Sequence, residues 1–121
     1  MEYIAALIFP FILLLAEKLF PYPYFIEELF KFYLAKKADS TKTAIFLGLV
    51  FSLSESVFYF LNPVYSLNAN LFAFRLFLVS AMHITTILVM HYFTNKKNLW
   101  PIGLILAMAI HFVFNSLGST L

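Results

Sequence analysis

The chain has 121 residues, 63% of them hydrophobic and only 12% charged, with a formal net charge of +2. A soluble domain carries about 45–50% apolar and 25% charged residues, and a chain this short cannot hide the excess in a core, so a soluble globular protein is excluded and an integral membrane protein is implied. The absence of cysteine removes disulfide frameworks, thiolate zinc sites, iron–sulfur clusters and cysteine nucleophiles, and with no basic run longer than Lys36–Lys37 a nucleic-acid partner has no electrostatic support.

The apolar segments predict an all-α, polytopic bundle of about five hydrophobic helices, at least four of them spanning, in a single transmembrane domain over 1–121. The first helix is expected over 3–20. It contains Pro10, Glu17 and Lys18, and with no basic n-region or small-residue cleavage site it reads as a retained helix. Pro21 and Pro23 stop it, because proline lacks the amide donor and forces the preceding residue extended. The second helix, over 24–38, is short for a span and holds Glu27, Glu28 and Lys31. The third, over 43–61, carries Gly48, several serines and Glu55, and Asn62–Pro63 ends it before the longest loop. The fourth, over 71–93, holds Arg75, His83 and the Thr85–Thr86 pair, with His91 nearer its end. The fifth, over 99–117, opens on Trp100 and Pro101, holds His111 and Asn115, and is closed by Gly118 as a C-cap. Trp100 at a helix end suits an interfacial anchor.

Lys36, Lys37 and Lys42 lie between the second and third helices, and Lys96 and Lys97 between the fourth and fifth. If all five segments cross, both turns share one side, and the positive-inside rule makes that side cytoplasmic. Lys18 is the dissenting charge.

An ionisable side chain at mid-bilayer costs about 2.5–3.5 kcal/mol on insertion scales, and this chain carries several: Glu27, Glu28, Lys31, Glu55, Arg75, His83 and His111. Counting from the lysine turns at 1.5 Å per residue, Glu27 lies ~15 Å deep and Glu55, His83 and His111 each lie ~20 Å deep. Acids and imidazoles from four helices thus converge on one level. Lateral grouping follows helical spacing. Lys31 is within pairing reach of Glu27 and Glu28. Gly48, Ser52 and Glu55 share a face, as do Arg75, Val79, Met82, His83 and Thr86. Gly103, Ala107, His111 and Asn115 recur every four residues as a small-and-polar stripe expected to face the bundle. A buried glutamate tuned towards neutrality is a competent base for water, and imidazole or amide groups can stabilise an oxyanion. Glu27, His83 and His111 could instead hold zinc in a His₂Glu site. Structural alternatives stand beside these. The glutamate–lysine group can be an ion pair at a helix end, Glu55 can pair with Arg75 or Lys31, Arg75 can snorkel, and the histidines and Asn115 can bond between helices.

At these residues the sequence resembles the PrsW-type membrane proteases, relatives of the type II CAAX-prenyl endopeptidases and bacteriocin-immunity-type proteins. The resembling pieces are Glu27, Glu28 and Lys31; Phe51 to Glu55; Arg75 with Met82, His83 and Thr85; and His111 with Asn115, in the family's order on separate helices. The resemblance implies peptide-bond hydrolysis in the membrane without a metal or other cofactor. Its substrate would be a membrane-anchored protein or peptide, and its setting a prokaryotic cytoplasmic membrane. Glu27 would activate water and Glu28 support it, while His111 and Asn115 would stabilise the oxyanion. Lys31 and Arg75 would neutralise the carboxylates. The second motif ends in Glu55, as in the PrsW branch, where the CAAX endopeptidases have His, so His83 becomes the candidate for orienting water. The expected cavity lies among helices two to five. A non-catalytic scaffold or small transporter-like subunit using the same polar core is the alternative from another class.

Overall fold

A computed structural model describes residues 1–17, 19–61, 63, 67–96 and 98–118. Lys18 and Lys97, to which the topology argument also appealed, lie outside them, as does half of the third-to-fourth loop. The described residues form five helices and no strand: α1 (Glu2–Glu17), α2 (Pro23–Lys37), α3 (Thr41–Phe60), α4 (Ala69–Thr94) and α5 (Trp100–Gly118).

Local chemistry sets the boundaries. Pro23 occupies the first turn of α2, where an amide donor is not needed. At the start of α3, Ser40 Oγ accepts the Thr43 amide at 3.1 Å, and the Thr43 hydroxyl donates to the Asp39 carboxylate. That hydroxyl is the main reason the Asp39 carboxyl sits below the usual carboxylate range. Asn68 caps α4 by accepting the Leu71 amide at 3.1 Å. Asn98 takes φ 65° in the turn before α5, a left-handed conformation that asparagine tolerates.

Three segments are long and apolar enough to cross a membrane: Thr41–Phe58, Ala69–Thr94 and Trp100–Leu117. The apolar stretch of α1, Glu2–Leu15, is shorter. At 15 residues α2 is ~22 Å long, and its Glu27, Glu28 and Lys31 point into the bundle while Lys36 and Lys37 at its end are exposed. Large apolar side chains such as Leu15, Phe77 and Ile105 are left exposed around the outside, the arrangement of a protein solvated by lipid. The chain is an integral membrane helix bundle.

Packing places α4 at the centre. It contacts α2, α3 and α5, whereas α1 packs on α2 and α3 alone among the described residues. Two glycines set the spacing. A Cβ on Gly48 would lie 2.8 Å from Ile84 Cα, and one on Gly103 would lie 2.7 Å from Phe93 Cβ. The α3–α4 and α4–α5 seams therefore close tightly, as small residues permit in membrane helices. Ser52 Oγ and Ser80 Oγ, 2.6 Å apart, bond across the first seam.

Candidate active site

The depth convergence becomes contact. Four helices bring Glu27, Glu28 and Lys31 (α2), Glu55 (α3), His83 (α4) and His111 (α5) into one cluster. Lys31, fully buried, spans the glutamate pair, with Nζ 2.7 Å from Glu27 Oε1 and 2.6 Å from Glu28 Oε1. Its i+4 and i+3 spacing makes this possible within one helix. Glu28 Oε1 also accepts the His111 Nδ1–H at 2.6 Å. His83 Nε2 donates to Glu55 Oε2 at 2.5 Å. Its Nδ1 faces Glu27 Oε1 at 3.4 Å and makes no hydrogen bond. His111 Nδ1 lies 3.8 Å from the same Glu27 oxygen.

Aromatic rings enclose the cluster. Phe51 packs against His83 with ring centroids 5.1 Å apart, and Lys31 Nζ lies 5.4 Å from the Phe51 centroid. Tyr24 lies against His111 at 5.9 Å.

The two neighbouring glutamates have different surroundings. Glu28 has no exposed side-chain surface, and its Oε1 is committed to Lys31 and His111. Glu27 is 13% exposed and Glu55 23%. Both line a cavity of about 100 Å³ whose other walls are Pro10, Leu13 and Leu14 of α1 and Phe51 and Phe58 of α3. That volume holds water, and the two carboxylates give water the polar partners it needs. The cavity was expected among helices two to five; it lies on the α1 side. The Gly48 and Gly103 contacts close the seams around α4 at this level, and the space beside Glu27 and Glu55 opens where α1 leans on α3. Sequence reasoning therefore missed Pro10, Leu13 and Leu14 as site walls; the mid-helix proline was the available signal. Ser54 Oγ donates to the Leu7 carbonyl at 2.5 Å and ties this part of α1 to α3.

Arg75 is partly buried and lies two turns before His83 on α4. Asn115 is exposed and takes no part in the cluster's hydrogen bonds. Gly103, Ala107 and His111 of its stripe are buried as expected. A four-residue step advances 400° around a helix, so the stripe drifts ~40° per member and by Asn115 has turned off the face.

Two groups could hold a metal ion, Glu27–Glu28–His111 and Glu27–Glu55–His83, each with its ligand atoms within 4.8 Å of one another. The Glu27–His83–His111 set weighed from the sequence is not among them: the two imidazoles, 6.3 Å apart by centroid, divide between the two carboxylate groups. The Lys31 ammonium already sits against Oε1 of both glutamates in the first group.

Comparison with models of known protein families, with curated proteins and with solved structures gives no match for this chain.

Proposed function

We propose that this chain is a PrsW-like glutamic intramembrane endopeptidase, acting on membrane-anchored proteins or peptides in a prokaryotic cytoplasmic membrane. The observation that carries the reading is the division of labour within the glutamate pair. Glu27 faces the cavity while sharing its Oε1 with Lys31, His83 and His111. Glu28 is sealed behind it.

In this reading a water sits between the Glu27 and Glu55 carboxylates, whose nearest oxygens lie within bridging reach. Glu27 takes its proton as the oxygen attacks the peptide carbonyl carbon. His83, donating to Glu55, holds the second carboxylate in place and so orients the water. Charge developing on the carbonyl oxygen is met on the His111 side of the cluster; Asn115, exposed and turned off that face, takes no part in the step. Collapse of the tetrahedral intermediate returns the proton from Glu27 to the leaving amine. Lys31 balances the charge of the paired carboxylates. Glu28 and Arg75 are supporting charges.

The scaffold reading is favoured by one observation, the complete burial of the Lys31–Glu28 ion pair within α2, whose Glu28 also bonds to His111 and ties α2 to α5. Proteolysis of a library of single-span substrates in liposomes separates the two. Wild type cleaves, Glu27→Gln loses at least about 100-fold in rate while keeping its helicity and melting temperature, and chelators leave wild-type cleavage intact. Folded wild type that cleaves nothing across the library turns the assignment to the scaffold, and loss of cleavage with chelators turns it to a metal hydrolase.

A further inference from the structure

At the lysine-rich end of the bundle, away from the carboxylates, a second cavity of about 450 Å³ is lined by Thr41, Leu88, His91, Tyr92, Asn95 and Lys96. We propose that it is a binding site for the phosphate headgroup of an anionic phospholipid.

The first argument is the polarity of its wall. His91 is buried, and its Nδ1 lies 3.2 Å from the Ala35 carbonyl oxygen. A carbonyl only accepts, so Nδ1 carries the proton, and Nε2 of the neutral ring accepts from Asn95 Nδ2 at 3.3 Å. The Lys96 ammonium donates to the Tyr92 hydroxyl and lies 4.1 Å from the Tyr92 ring centroid. What remains free on the wall is mostly donors, the second amide N–H of Asn95, the Thr41 hydroxyl and the other N–H groups of Lys96, beside one acceptor, Asn95 Oδ1. Among the described residues no carboxylate lines the cavity. A wall mostly of donors with one fixed cation suits an anion, and oxygen-rich phosphate in particular.

The second argument is position. Thr41 begins one apolar span and Thr94 ends another, so the cavity straddles the edge of the hydrocarbon layer. Leu88 lies eight residues from Lys96, ~12 Å deeper. The cavity therefore runs from a charged rim to an apolar floor, the order of groups along a phospholipid from phosphate to acyl chain. Lys36, Lys37 and Lys42 add positive charge at this end; of the acids there, Asp39 already accepts the Thr43 hydroxyl and Glu2, near Lys37, pairs with the N-terminal ammonium. The field there attracts anionic lipid.

A free phosphate ion shares the headgroup's chemistry but would gain nothing from the apolar floor. The test is native mass spectrometry of the full chain in neutral detergent, titrated with phosphatidylglycerol, phosphatidylcholine or inorganic phosphate. One phosphatidylglycerol binds at least tenfold more tightly than phosphatidylcholine, and millimolar phosphate does not displace it. Lys96→Gln weakens that binding about tenfold. Lys36→Gln, the same charge change beside a separate cavity with Phe32, Thr94 and Trp100, leaves it within twofold. Tyr92→Phe, which keeps the ring but frees Lys96 of its hydroxyl partner, also weakens binding and serves if Lys96→Gln lowers the melting temperature. The proposal is overturned by equal losses in Lys36→Gln and Lys96→Gln, which mark a diffuse field, by no preference for phosphatidylglycerol, or by displacement with inorganic phosphate, which marks a free-anion site.

Discussion

Lys31 is the residue on which the cluster's electrostatics turn. It is the largest fully buried side chain, and both its neighbours are carboxylates of the same helix. Lys31→Met keeps the volume and removes the charge, leaving those carboxylates uncompensated. Breaking a buried pair this way costs on the order of 3–5 kcal/mol. Adding Glu28→Gln removes one of the stranded charges, so the double variant recovers part of the lost stability; thermal unfolding in detergent reads both. Recovery by the second change is the signature of the ion pair, and a double variant weaker than either single one argues against it. Much of the site was legible at this scale, because depth is arithmetic: Glu27, Glu55, His83 and His111 share a level whatever the side-chain details. The split between Glu27 and Glu28 was not legible. Adjacent helical residues point ~100° apart, and only the position of α1 decides which of the two faces the cavity. The partner of Glu55 was equally hidden. His83 lies 28 residues away and meets it only because α3 and α4 pack in this register.

At the scale of elements, the glycine contacts make the α4 seams intolerant of bulk. At Gly48 the obstructing atom is the Ile84 backbone, and at Gly103 it is the first side-chain carbon of Phe93. Neither can swing aside. Gly48→Ala is expected to lower stability by about 1–3 kcal/mol through overpacking, although alanine is the better helix former. Leu53→Ala, on the exposed lipid face of the same helix, serves as the comparison and should move the melting temperature less. An equal shift in the two variants would count against a tight seam. Helix positions were readable from hydropathy and proline placement, with observed ends falling within three residues of those expected. The role of α1 was not. Its apolar pattern says only that it lies in lipid or core, while its packing on α2 and α3 alone makes it the wall of the cavity.

For the whole molecule, the two lysine turns share one end. His91 of α4 bonds to Ala35 of α2, and Thr41 and Lys96 line one cavity. The chain's lack of cysteine allows a direct check. Lys42→Cys and Lys96→Cys should react with an impermeant maleimide from one face of a sealed vesicle, and Leu67→Cys from the other. By the positive-inside rule the first face is cytoplasmic, and labelling of all three from one side would overturn the arrangement. The glutamate–lysine geometry of α2 also bears on how the molecule is made. Each helix must leave the translocation machinery before its neighbours are fixed around it, and a lone charge entering lipid is costly. The lysine of α2 travels with its own counter-ions one turn away, so this helix brings its neutralising partner into the bilayer rather than waiting for one. Glu55 and His83 sit on consecutive helices and can satisfy each other as a hairpin during the same insertion event. The most charged part of the protein is thus arranged in sequence so that biogenesis seldom exposes a bare ion to hydrocarbon.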